Sequence, residues 1–291
     1  MKRFLKHITI LFLVIISLMM ILDKTYSYVF KHSEPRSKIQ KILQLSDKHY
    51  EYVFLGSSRT ENHIDCEIIT KVTGKSCVNF GISGGSIGDM YILLKLMDAN
   101  NVSFDKVFLQ LDYNYNSAGL SPNFKARLMP FINEPIIKNE LSAVGLGVGQ
   151  KNIPFYRFMK NDKVIGFREF VSSVIDKKPR TDINVGFLPK TGVGSAISTS
   201  FPEFINESNE ELVAIEYLVE DKGKAIQFFT APYCSEVERR GSAMKDLKER
   251  VYNLWDYSNL YDSRPEYFFN CGHLNIEGAK DFSYIIAQRD L

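Results

Sequence analysis

Short apolar runs alternate with amphipathic stretches along most of the chain. Five of these runs are typical of buried strands, and they lie at residues 52–55, 76–80, 106–112, 225–230 and 254–256. Helices are predicted between and after them, at residues 66–73, 87–99, 208–221, 237–252 and 276–288. Strands that alternate with helices in this way predict a parallel sheet with helices on both faces.

The pattern weakens between about residues 116 and 206, where prolines and glycines interrupt it. Two helical pieces are predicted there, near residues 136–143 and 156–175. We interpret this region as an insertion over one end of the sheet, because the regular alternation resumes after it.

The amino terminus has the pattern of a membrane anchor. An uncharged, almost wholly apolar run from Ile8 to Leu22 follows the basic residues Lys2, Arg3 and Lys6. Because no small-residue cleavage site follows the run, residues 1–27 are predicted as an uncleaved single span rather than a signal peptide. The basic head favours a body outside the cytoplasm, periplasmic or extracellular, although lysines after the span leave the other orientation open. Residues 28–50 are predicted as a stalk and residues 51–291 as the body.

Composition excludes several classes of partner. The net charge of the 291-residue chain is +2, and no basic run is interleaved with aromatic residues, so no nucleic acid is expected. The four cysteines show no CxxC spacing, so neither a metal nor another cofactor is expected.

Two polar stretches fall at the edge of the sheet where ligands bind in open α/β folds. Gly56, Ser57 and Ser58 follow the first strand, and His273 lies in a loop of small residues before the last helix. Taken alone, a Gly-Ser-Ser is more often a plain turn, and a lone His is more often structural. Placed at one edge, the two supply a nucleophile and a base.

Four blocks in order resemble those of the SGNH, or GDSL-type, hydrolase superfamily. They are Gly56-Ser57-Ser58, Asn79 to Gly84, Leu111 to Asn114, and Asn270 to Asn275. The first is similar to the family's Gly-Asp-Ser, with Ser57 in the Asp place. The resemblance implies a flavodoxin-like three-layer α/β/α sandwich with a parallel five-stranded sheet, carrying the insertion over its active edge.

The resemblance also implies roles for individual residues. Ser58 would be the nucleophile and His273 the base, and the Ser58 and Gly84 N–H groups with the Asn114 amide would form the oxyanion hole. The family's acid position holds Asn270. Three interpretations remain open: a weak Ser–His dyad, another carboxylate such as Asp256 or Asp262 in the acid role, or a site that binds without turnover.

Gly-Ser-Ser and the single span are similar to a membrane-anchored branch of the superfamily, the teichoic-acid D-alanyl transfer proteins. The predicted function is therefore an ester hydrolase or acyl transferase acting on acyl groups of a cell-surface glycan. The alternative is a catalytically degenerate member that binds a glycan or assists surface-polymer assembly proteins.

Other patterns compete with this interpretation. Gly81 to Gly85 fits G-x-S-x-G, but an α/β-hydrolase using Ser83 needs several strands before that motif. Arg59 is predicted either to bind substrate or to pair with Asp65 or Asp112. Cys234 and Cys271 follow adjacent predicted strands and could form a disulfide, which only geometry can decide.

Overall fold

The computed structural model describes residues 1–179, 181–192, 194 and 200–289. It divides into two compact units. Unit 1 contains residues 1–40 and 122–178, and unit 2 contains residues 41–121 with the described part of 179–291. The division into anchor, stalk and body, with its insertion, stays a prediction.

The described residues form seven strands and fourteen α-helices. The strands are β1 (His49–Leu55), β2 (Cys77–Asn79), β3 (Ser103–Gln110), β4 (Ala225–Thr230), β5 (Leu254–Asp256), β6 (Phe268–Asn270) and β7 (His273–Leu274). The helices are α1 (Lys2–His32), α2 (Lys38–Gln44), α3 (Ser58–His63), α4 (Cys66–Thr73), α5 (Ile87–Ala99), α6 (Pro122–Leu128), α7 (Pro135–Ala143), α8 (Val148–Asn152), α9 (Tyr156–Lys160), α10 (Asp162–Ile165), α11 (Phe167–Val174), α12 (Glu210–Asp221), α13 (Arg240–Arg250) and α14 (Ile276–Arg289).

Unit 2 is built on a parallel five-stranded sheet in the order β2-β1-β3-β4-β5, which confirms the five predicted strands and the flavodoxin-like arrangement. β1 lies between β2 and β3 and is buried at its carboxyl-terminal end, where Val53, Phe54 and Leu55 are fully inaccessible. Phe54 stacks on Phe108 of β3 with ring centroids 4.5 Å apart. These residues form the centre of the core.

The strand order fixes the face on which each helix lies. The chain moves one way from β1 to β2 and then returns across β1 to β3. Right-handed crossovers therefore place α3 and α4 on one face of the sheet and α5, α12 and α13 on the other. The packing agrees, because α14 contacts α3 and α4 while α12 contacts α5. The result is the predicted three-layer sandwich.

Several elements differ from the sequence prediction for local reasons. The helix predicted at 156–175 is three short helices, separated at Asn161 and Gly166. α13 begins at Arg240 because Arg239 adopts a left-handed backbone, with φ of +58°. The cap of α12 is Asn209 rather than Ser208, and its side chain accepts from the Leu212 N–H at 2.8 Å. The antiparallel β6–β7 pair was not predicted.

Unit 1 is organised around the carboxyl-terminal turns of α1. This helix is long and apolar enough to cross a membrane, with a mean hydropathy of 2.4 over its most apolar window. Beyond the apolar run, Tyr26 and Phe30 are buried, and Tyr26 stacks on Phe170 at 4.0 Å. Asp23 pairs with Arg157 at 2.9 Å. The end of α1 is therefore part of the packing of unit 1.

Candidate active site

Ser58, His273 and Asn270 form a hydrogen-bonded chain at the carboxyl edge of the sheet in unit 2. The Ser58 Oγ lies 2.9 Å from His273 Nε2, and His273 Nδ1 lies 3.1 Å from Asn270 Oδ1. All three residues are half-buried. The structure thus brings together the three residues that the sequence assigned to nucleophile, base and acid position.

Neighbouring bonds fix the proton on this histidine. The Gly272 N–H, which can only donate, points at Asn270 Oδ1 at 3.1 Å. Because the oxygen of the amide faces the loop, His273 Nδ1 must carry the proton that it shares with Asn270. Nε2 is then bare and accepts the hydroxyl proton of Ser58, as a general base must.

The turn that presents Ser58 depends on Gly56 and Gln110. Gly56 has φ of +154°, and a Cβ at this position would lie 2.1 Å from Thr60 Oγ1 and 2.7 Å from Gln110 Cβ. Gln110 Oε1, at the end of β3, accepts from both the N–H of Ser57 at 2.9 Å and its hydroxyl at 2.7 Å. Ser57 in turn caps α3 by accepting from the Arg59 N–H. The nucleophile is thereby placed at the first position of a helix.

The Ser58 turn and the Gly84 loop each hold an unused backbone donor. Within the described part of the chain, neither the Ser58 N–H nor the Gly84 N–H makes a hydrogen bond. The Gly84 loop is held near Ser58, since the Ile82 N–H donates to Gly56 O at 2.8 Å. Gly84 itself is exposed and has φ of +70°. Free amides at a helix start and in a left-handed turn are suited to bind a developing oxyanion.

Asn114 lies in the turn that follows β3 and is buried. Its Oδ1 accepts from the Asp112 N–H at 2.9 Å, which directs its amide nitrogen the other way. That nitrogen makes a 3.3 Å bond to Gln110 O, which uses one of its two protons. The remaining proton has no acceptor among the described residues, and the role of Asn114 as a third oxyanion donor stays a prediction.

Arg59 is buried at 1% exposure behind the nucleophile. Its Nε lies 2.9 Å from Asp112 Oδ2, and its guanidinium carbon lies 3.2 Å above the ring centroid of Tyr233. Its terminal nitrogens donate to the carbonyl oxygens of Ala231, Pro232 and Gly272. Of the roles left open for Arg59, the structure shows the ion pair with Asp112, and the side chain braces the strand-end loops.

The loop that carries His273 is held from two sides. The Leu274 N–H donates to His63 Nε2 at 3.0 Å, and burial lowers the pKa of His63 well below its usual value, so this ring is neutral. A disulfide joins Cys271 to Cys234, as the strand placement suggested. A second disulfide, Cys66–Cys77, was not predicted.

A strap formed by residues 185–190 crosses from α3 to the His273 loop. The Leu188 N–H donates to Glu61 O at 2.9 Å, and the Ile276 N–H donates to Lys190 O at 2.8 Å. The Lys190 ammonium makes no ion pair with any described residue and lies 5.9 Å from the Phe269 ring centroid. Burial first, then the charges of Arg59 and Lys190, lower the pKa of His273 to about 4.

The competing assignments place their residues elsewhere. Asp256 binds Lys248 at 2.7 Å and Asp262 binds Arg240 at 2.5 Å, and no carboxylate of the described residues bonds to His273. The Ser83 hydroxyl donates to Glu61 at 2.5 Å rather than to a histidine. In the described sheet only β1 precedes β2, the strand that leads into the Ser83 loop, whereas an α/β-hydrolase has several strands before its elbow strand.

Among the described residues, one group of side chains is close enough together to be considered as metal ligands. The ligand atoms of Cys234, Glu236 and Cys271 lie within 4.8 Å of one another. Because both sulfurs belong to the Cys234–Cys271 disulfide, this group offers no thiolate to a metal ion.

Gln110, His63 and Lys190 were not among the predicted site residues. Gln110 left a usable signal, since it is the one polar residue in the apolar run 107–111 and stands at its carboxyl end. His63 follows Ser58 by five residues, but only the fold shows that it supports the His273 loop. No sequence pattern around Lys190 indicates that its side chain lies near His273.

Comparison with known proteins gives a distant likeness to a solved structure. No family model and no curated protein matches the chain. A solved structure from Streptococcus pneumonia, provisionally described as a platelet activating factor, is similar at 15% identity and a TM-score of 0.36. The match covers 96% of this chain and 97% of that chain. The geometry of the site, and not this likeness, supports the function proposed below.

Proposed function

We propose that the protein is an SGNH-type serine ester hydrolase or acyl transferase. One observation carries the proposal: the Ser58 hydroxyl lies 2.9 Å from a histidine nitrogen that is free to accept its proton. The unbonded N–H groups of Ser58 and Gly84 add the electrostatic component that acyl transfer needs.

The proposed reaction proceeds through an acyl-enzyme. The Ser58 oxygen attacks the ester carbonyl carbon while His273 Nε2 takes the hydroxyl proton. The carbonyl oxygen becomes an oxyanion, which the Ser58, Gly84 and Asn114 donors bind. The tetrahedral intermediate collapses, the C–O bond of the alcohol breaks, and His273 returns its proton to that alcohol. A water or a second alcohol then repeats the sequence in reverse and frees Ser58.

Asn270 limits how well His273 performs this role. The amide holds the imidazole in the correct tautomer, but it carries no charge to stabilise the imidazolium that forms in each step. In a serine protease an Asp-to-Asn change at this position costs about ten-thousandfold in rate, mainly because it leaves the wrong tautomer, so the cost here is the smaller part that comes from the missing charge. We therefore expect a slow enzyme whose oxyanion hole supplies most of the catalysis.

The proposed substrate is an acyl group on a cell-surface glycan. Two observations support a site outside the cytoplasm: α1 is long and apolar enough to anchor the chain, and all four cysteines are paired in disulfides, which persist in oxidising compartments. The glycan substrate rests on this location and on the resemblance of the Gly56-Ser57-Ser58 block to membrane-anchored members of the superfamily. Surface-polymer assembly proteins are the proposed partners.

A second candidate function follows from Asn270. With no carboxylate among the described residues bonded to His273, the site could bind an acylated glycan without turning it over. In that case the protein would act as a binding or assembly partner in the same compartment.

Covalent labelling separates the two functions. Full-length protein in detergent micelles is treated with a fluorescent serine-reactive phosphonate, beside the variants Ser58→Ala, His273→Ala and Ser83→Ala. The enzyme proposal expects labelling that disappears with Ser58→Ala and His273→Ala and persists with Ser83→Ala. If a protein with an intact thermal unfolding transition takes no label in any form, the binding function replaces the enzyme. Loss of label only with Ser83→Ala would move the nucleophile to that loop.

A further inference from the structure

The folded part of unit 1 packs directly against the end of the apolar run of α1. Asp23 is the first charged residue after that run, and its carboxylate accepts from the Phe155 N–H at 2.8 Å and from Arg157 at 2.9 Å. One turn further along, Tyr26 contacts Phe155 and Phe158 with ring centroids 4.9 and 5.1 Å away. Residues 153–159 therefore lie beside the point where α1 leaves its apolar stretch.

Around this contact, unit 1 exposes large apolar side chains instead of burying them. Ile153, Tyr156, Met159 and Phe167 are 48%, 38%, 57% and 68% exposed. We call these four side chains the apolar collar. Their neighbours Phe158 and Phe170 face inward, so α9 and α11 each bury one apolar face and expose another. The segment 153–159 and α11 both pack on Tyr26, and exposed apolar groups of this size around one packing point typically mark an interaction surface.

The charge around the collar is basic. Residues 122–178 hold ten Lys and Arg against five Asp and Glu, whereas the whole chain holds 36 against 34. Within residues 151–168 the single acid, Asp162, is opposed by five bases, of which Lys151, Lys160, Lys163 and Arg168 are exposed. Apolar groups flanked by lysine and arginine are the composition of surfaces that lie in the lipid headgroup region.

We propose that the apolar collar is a membrane-surface contact, seated in the headgroup region of the leaflet from which α1 emerges. The inference rests on the membrane anchoring proposed above and extends it from one helix to a folded surface. α1 reaches the headgroups near Asp23, and the Asp23 contacts hold residues 155–157 at that depth. The collar side chains can then enter the interface while the basic side chains remain among the lipid phosphates.

Depth-dependent fluorescence quenching tests this contact in the full-length protein. The chain has one tryptophan, Trp255. In a Trp255→Phe background, single tryptophans are introduced as Met159→Trp and Phe167→Trp. The variants are reconstituted into phosphatidylcholine–phosphatidylglycerol vesicles whose acyl chains carry bromine either near the headgroup, to report on the collar, or near the bilayer centre, to report on Leu13→Trp.

Two further tryptophans serve as matched controls. Leu13→Trp reports whether α1 spans the bilayer. Asn133→Trp reports an exposed site of the same unit, next to Glu134, which pairs with Lys31. Lys31 lies eight residues beyond Asp23 and hence about 12 Å further along the helix.

If the collar contacts the membrane, the emission of Met159→Trp and Phe167→Trp should be blue-shifted and strongly quenched. The emission of Asn133→Trp should not be quenched. If Leu13→Trp is quenched while the collar tryptophans are not, the collar inference fails and the anchor stands. A blue shift without quenching would show that protein, such as a second copy, covers the collar, and this also overturns the inference. Absence of quenching at all positions would overturn both the anchor and the collar, leaving the Ser58 labelling result unaffected.

Discussion

The amide at position 270 decides how the candidate base behaves. Asn270 accepts the Nδ1 proton of His273, while the charged groups that face this ring from the neighbouring elements, Arg59 and Lys190, are both positive. His63, packed edge-on at 6.0 Å, is neutral. The histidine thus has an environment that favours the uncharged form, which suits a base but not an imidazolium intermediate.

Asn270→Asp is predicted to raise activity and to move its pH profile. A carboxylate stabilises the imidazolium, so the pKa of His273 rises from about 4. Because the base must be neutral, the acidic limb of the labelling rate moves to higher pH. At neutral pH the rate should rise about tenfold or more, a part of what the reverse change costs a serine protease.

The matched control for this change is Asn275→Asp, which adds the same charge to the same loop at the residue that caps α14. It should leave both rate and pH profile nearly unchanged. If Asn270→Asp lowers the labelling rate below that of the wild type, the site requires the amide and the prediction is wrong.

Lys190→Met is predicted to shift the acidic limb of the pH profile in the same direction as Asn270→Asp. Unlike that change, it adds no hydrogen bond to His273. Removing a positive charge that disfavours the imidazolium raises the pKa of His273, so activity begins to fall at a higher pH on acidification. The measurement is the labelling rate against pH, with the exposed Lys245→Met on α13 as control. Equal profiles for Lys190→Met and wild type would remove Lys190 from the electrostatics of the site.

Sequence patterns identified the reacting residues because each stands next to a strand end or a turn that marks it. Ser58 follows Gly56, and His273 precedes the last helix. The supporting residues left weaker marks, since Gln110 and His63 act through the backbone of residues 53 and 211 positions away in the sequence. Such contacts are set by tertiary packing, and no local pattern encodes them.

At the scale of elements, the five strands and the helices α4 and α5 were predictable from their apolar runs and their caps. Asp65 caps α4, and Ser86 with Asp89 forms a capping box on α5. β6 and β7 were not, because strands of three and two residues carry no usable alternation. Helix α3 was not predicted either, because its six residues are all polar and show no apolar face.

The two disulfides are predicted to contribute differently to activity. Both should stabilise the fold by about 3–4 kcal/mol through loop closure, given their sequence separations of 11 and 37 residues. Only Cys234–Cys271 holds the β6–β7 loop that carries His273. The double variant Cys234→Ser/Cys271→Ser should therefore lose most phosphonate labelling at a temperature where it remains folded.

The comparison is Cys66→Ser/Cys77→Ser, which joins α4 to β2 away from the His273 loop. It should show a similar fall in melting temperature with labelling largely retained. Equal loss of labelling in both double variants at matched stability would show that the His273 loop does not depend on its own disulfide.

At the scale of the whole molecule, unit 1 could not be predicted from sequence. Tyr26 stacks on Phe170 across 144 positions, and the apolar pattern of α1 gave no sign that its last turns belong to a folded unit. Residues 122–178 lack a repeating pattern because much of their core is supplied by this distant helix.

Truncation is predicted to reveal this dependence. A fragment beginning at Asp23 keeps Tyr26, Phe30 and the Asp23–Arg157 pair, and its unit 1 should stay folded. A fragment beginning at Lys31 loses all three and leaves Arg157 buried without its carboxylate, a loss typically worth about 3–5 kcal/mol. Limited proteolysis should then cut the second fragment, but not the first, within residues 122–178. Equal protection of both fragments would show that unit 1 folds without the end of α1.

The order of the cysteines has a consequence for biogenesis. Each cysteine is paired with the next one in the sequence, Cys66 with Cys77 and Cys234 with Cys271. If the body is exported progressively, starting from the residues that follow α1, the members of each pair emerge together, before the following pair. Oxidation in order of emergence therefore yields the native connectivity directly, and maturation of this protein should not require a disulfide isomerase.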